Sequence, residues 1–302
     1  MPLSRRSLIA AAALGVTPLG RPVQAQAGTI RRTIPSSGET LPAMGIGTSR
    51  RYEVEPTLEA VAPLKAAVQR FTALGGSVID TAPSYGTAED VLGLILPEAG
   101  LREKVFLASK VSERGREAAA AQIERSFQRM RTDRIDLIAV HNLVDTESNL
   151  AILRDLKRAG RIRYVGVTVW LDRQFEALES VMKREALDFV QVNYALDQRA
   201  AAARILPLAA ERGMAVMVNV PFGRDRLFST VKDKPLPDWA AAFDCRSWAQ
   251  FFLKYVLADE AVTCPIPGMA KAAYVEDNMG AIQGRLPDAG ERRKMETLID
   301  GV

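Results

Sequence analysis

Residues that staple small folds or bind metals are scarce in this sequence. Its 302 residues include two cysteines, Cys245 and Cys264, and one histidine, His141. Two cysteines exclude a disulfide scaffold and any multi-cysteine zinc or iron–sulfur site. A lone histidine excludes a His-rich centre, so no metal site is expected. Charge of one sign is scarce as well. Of the 40 Lys and Arg, three (Arg5, Arg6 and Arg21) fall in the first 27 residues, which hold no acid, leaving 37 against 36 Asp and Glu. The sequence pI of about 9.1 therefore does not signal a nucleic-acid-binding field. No apolar run is long enough to span a bilayer. With 48% hydrophobic and 25% charged residues, the composition is that of a globular protein, not a disordered, collagen-like or coiled-coil chain.

The N-terminus reads Ser4-Arg5-Arg6-Ser7-Leu8-Ile9, continues as a short apolar stretch over residues 8–16, and reaches Ala25-Gln26-Ala27. A charged region, a short apolar region and a small-residue cleavage site in that order form an export signal. The paired arginines before a weakly hydrophobic, Ala-rich stretch resemble a bacterial twin-arginine signal. That resemblance implies engagement of the twin-arginine export machinery, a periplasmic location and no stable membrane insertion after cleavage. Residues 28–302 are then expected to form one domain.

Past residue 28, short β-branched or apolar runs alternate with helical periodicity. Strands are expected at 44–48, 77–80, 105–110, 135–141, 164–168, 189–193, 215–220 and 262–266, and helices at 61–74, 88–96, 118–130, 150–157, 173–183, 200–211 and 248–257. Repeated strand-then-helix units predict parallel strands with crossovers. Eight units in this length match a (β/α)₈ TIM barrel better than a doubly wound sheet. Gly45-Ile46-Gly47-Thr48 also lacks the third glycine of a dinucleotide fingerprint. Residues 29–42 predict a β-hairpin before the first barrel strand, suited to closing the barrel bottom.

In a parallel barrel, functional groups gather where strands end. Three successive runs end on a polar residue: Val78-Ile79 on Asp80, the run from Val105 to Ser109 on Lys110, and Leu137-Ile138-Ala139-Val140 on His141. Their spacing of one βα unit places them on adjacent strands. Tyr85 follows Asp80 in the loop Thr81-Ala82-Pro83-Ser84-Tyr85-Gly86, ahead of a helix that Thr87 is expected to cap. An ammonium beside a phenol stabilises phenolate and lowers its pKa, and a carboxylate behind the ammonium keeps it in place and charged. A histidine there orients a substrate oxygen. The set is suited to proton transfer.

At these residues the chain resembles the aldo-keto reductase superfamily. The matching segments are Met44-Gly45-Ile46-Gly47-Thr48, Ile79-Asp80-Thr81-Ala82 with Tyr85-Gly86, Ser109-Lys110, His141, Tyr164-Val165-Gly166-Val167-Thr168, Gln191-Val192-Asn193-Tyr194, and Ile266-Pro267-Gly268 with Asp277-Asn278. The resemblance implies NADPH-dependent reduction of an aldehyde or ketone, with NADH also open. Tyr85 would be the general acid, Lys110 its pKa-lowering partner, Asp80 the carboxylate on that lysine, and His141 the residue polarising the carbonyl. Thr168 and Gln191 would hold the nicotinamide carboxamide, and Gly268, Lys271, Asp277 and Asn278 the phosphate side. The sequence departs from the family pattern at Val169, where an asparagine is usual. It departs again at Asn219, which stands in the place of a stacking aromatic and leaves Phe222 or Trp170 as substitutes, and at Tyr274, where an arginine is frequent. A cofactor-binding redox sensor or assembly subunit on the same barrel is the rival function. Cys245 and Cys264 are expected to be free thiols, and Trp239 lines the mouth or packs in the core.

Overall fold

The computed structural model describes residues 28–302. The expected export segment, residues 1–27, lies outside the described residues. The chain opens with an antiparallel hairpin, β1 (Arg31–Thr33) against β2 (Thr40–Pro42). Gly38 has φ +76°, the left-handed conformation glycine adopts without a Cβ penalty, and its N–H donates to Ile34 O at 2.9 Å to close the turn.

Eight parallel strands follow: β3 (Gly45–Gly47), β4 (Val78–Asp80), β5 (Phe106–Val111), β6 (Ile135–His141), β7 (Ile162–Thr168), β8 (Phe189–Asn193), β9 (Ala215–Asn219) and β10 (Val262–Pro265). Each hydrogen-bonds to its neighbours in chain order. The outer ring consists of α1 (Leu58–Ala73), α2 (Ala88–Glu98), α3 (Arg116–Arg129), α4 (Thr146–Arg158), α5 (Phe175–Arg184), α6 (Ala200–Glu211), α7 (Arg226–Thr230), α8 (Trp248–Leu257), α9 (Ala272–Met279) and α10 (Ala289–Asp300). The two sheet edges meet where Gly47 bridges Gly268 in parallel and the Gly47 N–H donates to Pro267 O at 2.9 Å. A Cβ at Gly47 would fall 2.5 Å from Ile266 O, so this approach requires glycine. The result is the expected (β/α)₈ barrel with its N-terminal hairpin.

Because side chains alternate across a strand, each barrel strand feeds two cores. One set packs outward against the helices. The other fills the barrel with Val78, Phe106, Leu137, Tyr164, Phe189, Met217 and Cys264, and the hairpin adds Ile34 and Leu41. The hairpin is thus a plug for the barrel bottom, tied down where the Tyr164 hydroxyl donates to Glu39 Oε2 at 2.5 Å and Arg163 meets Glu39 Oε1 at 3.0 Å. Phe106, Tyr164 and Phe189 pack together with ring centroids 5.4–5.8 Å apart, Phe106 stacked on Tyr164 and Phe189 edge-on to Tyr164. Two or four residues further along the same inward faces come Asp80, Lys110, His141, Thr168, Gln191 and Asn219. One alternation therefore builds both the apolar floor and the polar layer above it.

One helix cap departs from the sequence expectation. Thr87 precedes α2 without capping it, because its hydroxyl donates to Val54 O at 2.6 Å instead. The charged segment around Glu291 is part of α10, which begins with a reciprocal capping box between Asp288 and Glu291. Cys245 and Cys264 are free and buried. Trp239 packs against Phe251 at 5.5 Å between centroids.

Candidate active site

Asp80, Lys110 and His141 project from the C-terminal ends of β4, β5 and β6 on the inward face. The Lys110 ammonium donates to both Asp80 carboxylate oxygens at 2.8 Å and to Thr81 O at 2.7 Å. Three N–H groups meet three acceptors, so the buried charge is fully satisfied. Both side chains are almost inaccessible, 2% and 5% exposed. Burial alone would drive the proton off Lys110, but the charge of the Asp80 carboxylate and its hydrogen bonds hold the pKa above the ordinary lysine value. The group is a fixed ammonium.

Tyr85 hangs over this ion pair from the β4–α2 loop, its N–H bonded to Ala82 O at 3.0 Å. The Lys110 Nζ lies 5.0 Å from the centroid of its ring, and the ring of His141 stands edge-on to it at 6.2 Å and 86°. The sequence reading expects Lys110 to lower the phenol's pKa. The ammonium does pull in that direction, but burial outweighs it and the pKa ends above the ordinary 10. Tyr85 is therefore a protonated phenol at neutral pH. Burial, with help from the Lys110 charge, pushes the His141 imidazole down to about 4, so it is neutral. The site offers a neutral phenol and a neutral imidazole side by side over a permanent positive charge.

Asp80, Tyr85 and His141 line a cavity of about 880 Å³, within the usual range for a small-molecule site. Of the residues expected on the cofactor side, Thr168, Gly268, Lys271, Asp277 and Asn278 line the same cavity. Gln191 does not; it is buried against the Asp80 carboxyl, in the floor of the site. Asp277 Oδ1 also accepts from the Ser247 hydroxyl at 2.7 Å and Gln250 Nε2 at 2.9 Å, locking α9 onto α8. Lys271 is the N-cap of α9, and no side chain caps that end, so its backbone N–H groups and helix dipole are suited to holding an anion. The carboxamide oxygens of Asn142 and Asn219 are buried on the cavity wall without a protein partner. An uncapped helix N-terminus with a cation at one end and unpaired amide oxygens near Tyr85 and His141 fit a nicotinamide dinucleotide.

Sequence reasoning missed Arg50, Arg51, Asn142, Arg224 and Asp225, which also line the cavity. Arg51 reaches Asp225 at 3.2 Å across the mouth, and the Arg224 guanidinium lies 4.1 Å over the ring of Trp170. The only sequence signal for these was their position in the loops following β3, β6 and β9. Asn219 does not stack, because its Nδ2 is committed to Val169 O at 2.9 Å. Phe222 and Trp170, the expected substitutes, both line the cavity.

Comparison with known proteins places this geometry. The chain is 32% identical over 268 residues to methylglyoxal reductase YeaE of Escherichia coli, covering 86% of this chain and 92% of that protein. A structure of an aldo/keto reductase from Klebsiella pneumoniae in complex with NADP and acetate superposes with a TM-score of 0.75 at 26% identity, over 89% of this chain and 95% of that one. The holo form of the aldo-keto reductase AKR11C1 from Bacillus halodurans shares the fold with a TM-score of 0.72 at 21% identity, over 90% and 96% of the two chains. Residues 43–290 match the model of the aldo/keto reductase family, and on that match the chain belongs to this family, as an NAD(P)H-dependent oxidoreductase.

Proposed function

We propose that the protein reduces a small aldehyde or ketone to the alcohol at the expense of NADPH, with Tyr85 as the proton donor. The observation that carries this reading is the Lys110 ammonium, held by Asp80 and Thr81 beneath Tyr85. When bound, the dinucleotide supplies the hydride. Thr168, Asn142 and Asn219 would hold its nicotinamide end, and Gly268, Lys271 and Asn278 its phosphate side. Neutral His141 donates to the carbonyl oxygen and orients it towards Tyr85. Tyr85 gives that oxygen its proton, and Lys110 stabilises the phenolate left behind. Asp80 keeps the ammonium in register and charged.

Methylglyoxal, the substrate named for the E. coli relative, is the first compound to assay. Tyr85→Phe removes one oxygen, so it should retain NADPH binding while turnover falls by ~10²- to 10⁴-fold. Reduction within a few-fold of the parent, with NADPH still bound, would place the chemistry elsewhere. The redox-sensor alternative draws support from Asn219 and Val169, which remove the usual aromatic stack and one amide from the nicotinamide end. A single-turnover assay separates the two readings, since a sensor would leave bound NADPH unoxidised by reactive carbonyls. We further propose a periplasmic location reached through the twin-arginine machinery, on the strength of Arg5-Arg6 and the apolar stretch after them.

A further inference from the structure

Tyr85 sits on a loop, yet its task demands a fixed height above Lys110. The loop is held from behind by one side chain. Arg129, the last residue of α3, donates through Nη2 to Gly86 O at 2.5 Å and through Nη1 to Pro83 O at 3.4 Å, the carbonyls on either side of Ser84-Tyr85. Its Nε meets Asp90 Oδ2 at 2.9 Å and its Nη1 meets Glu89 Oε2 at 3.2 Å, both in the first turn of α2. Glu89 is wholly buried, and its second oxygen accepts from the Ser109 hydroxyl at 2.8 Å. Ser109 immediately precedes Lys110 on β5. One carboxylate therefore ties the strand that carries the ammonium to the arginine that holds the loop carrying the phenol. The approach is close: a Cβ on Gly93 of α2 would fall 1.9 Å from Arg129 O. A buried carboxylate is tolerable only when its oxygens are partnered, and a planar guanidinium can serve four acceptors where an ammonium cannot.

We propose that Arg129, through Glu89 and Ser109, is a positioning residue that sets the distance between Tyr85 and Lys110. The inference rests on Tyr85 being the proton donor. Arg129 touches neither the cavity nor the reacting groups, so its removal should leave the cavity walls intact while letting the loop drift. A misplacement of about 1 Å is enough to cost ~10²-fold in rate.

The test compares Arg129→Met, Arg129→Lys, Ser109→Ala and Tyr85→Phe in the full-length protein, with kcat expressed per NADPH-binding site counted by fluorescence titration. Arg129→Met should lower kcat by ~10- to 100-fold, with carbonyl KM and NADPH Kd within about twofold. Arg129→Lys, which can reach a carbonyl but not all four acceptors, should recover part of that loss. Ser109→Ala should lower kcat several-fold with KM unchanged. On the Tyr85→Phe background, Arg129→Met should cost nothing more in residual rate, because the group it positions is gone. If Arg129→Met does not fold, the Lys and Ser109→Ala variants decide. Parental kcat per site in both, or a further loss on the Tyr85→Phe background as large as in the parent, would overturn the proposal. Full turnover by Tyr85→Phe would instead overturn the proton-donor assignment, a separate and recognisable result.

Discussion

Lys110→Met removes a charge and leaves its partner behind, and this makes stability and chemistry separable. The ammonium satisfies both oxygens of Asp80 and the carbonyl of Thr81 in a site with almost no solvent access. Without it, a buried carboxylate is left unpaired, a loss of about 3–5 kcal/mol. For a domain of this size that corresponds to a fall in Tm of roughly 5–9 °C. Burial already raises the Asp80 pKa, so the orphaned carboxyl should relieve part of the cost by binding a proton, and the loss should shrink as pH falls. The turnover deficit has a different origin, since without the ammonium the phenol releases its proton less readily and the phenolate lacks a counter-charge. It should reach ~10²-fold or more. The double variant Asp80→Asn/Lys110→Met has no charge to strand, so it should regain much of the lost stability and none of the lost turnover. Calorimetry and steady-state reduction on the same preparations give both numbers. If Lys110→Met melts within 1–2 °C of the parent, or the double variant recovers activity along with stability, the ion pair does not have the role described.

Three further outcomes follow from the site and the N-terminus. Because His141 titrates near 4 in the folded protein and 6.5 is its ordinary value, carbonyl reduction should stay level from neutrality down to about pH 5 and fall as pH approaches 4. The unfolded chain binds the proton more readily across that window, so stability present above about pH 6.5 is also lost as pH falls towards 4, by roughly 3 kcal/mol in total; an activity limb near 6.5 would contradict this. Lys271→Ala should weaken NADPH binding by ~1–3 kcal/mol, as for a lost hydrogen bond to a charged group, and NADH binding by less; equal losses in a fluorescence titration would show that Lys271 does not read the 2′-phosphate. Changing Arg5 and Arg6 together to Lys should leave the precursor in the cytoplasm on fractionation, and unchanged export would remove the twin-arginine assignment.

What the sequence made legible is what repeats. Strand alternation and one-unit spacing were enough to bring Asp80, Lys110 and His141 to one end of one barrel, because each lies at the inward end of an apolar run. Helix α8, read as 248–257, matches its bounds in the structure. What was not legible lies in long side chains that cross between loops. Arg51 and Asp225 are 174 residues apart, and nothing local to either foretells the pairing. Thr87 had the composition of a cap, but Val54 O offered its hydroxyl a better acceptor. Gln191 was placed on the correct face and strand; its depth, which sets it beside Asp80 and away from the cavity, depends on how the strands stagger. The sign of Tyr85's net shift was out of reach for the same reason, since it balances burial against one charge and only the packed structure gives the weights.

The seam at Gly47 has a topological meaning beyond shape. A barrel is a ring, and this ring is fastened between residues about 220 positions apart, so the joint forms only after nearly the whole domain has been gathered, against a chain-closure entropy of ~5 kcal/mol. The segment that makes the fastening runs directly into Lys271 and α9, which also line the cavity. A ligand gripping that segment binds the fastened ring and not the open one. By mass action its concentration therefore enters the folding equilibrium, adding about 2.7 kcal/mol at a hundred times its Kd. Cofactor supply is then a determinant of how much of this polypeptide exists as a closed barrel at all.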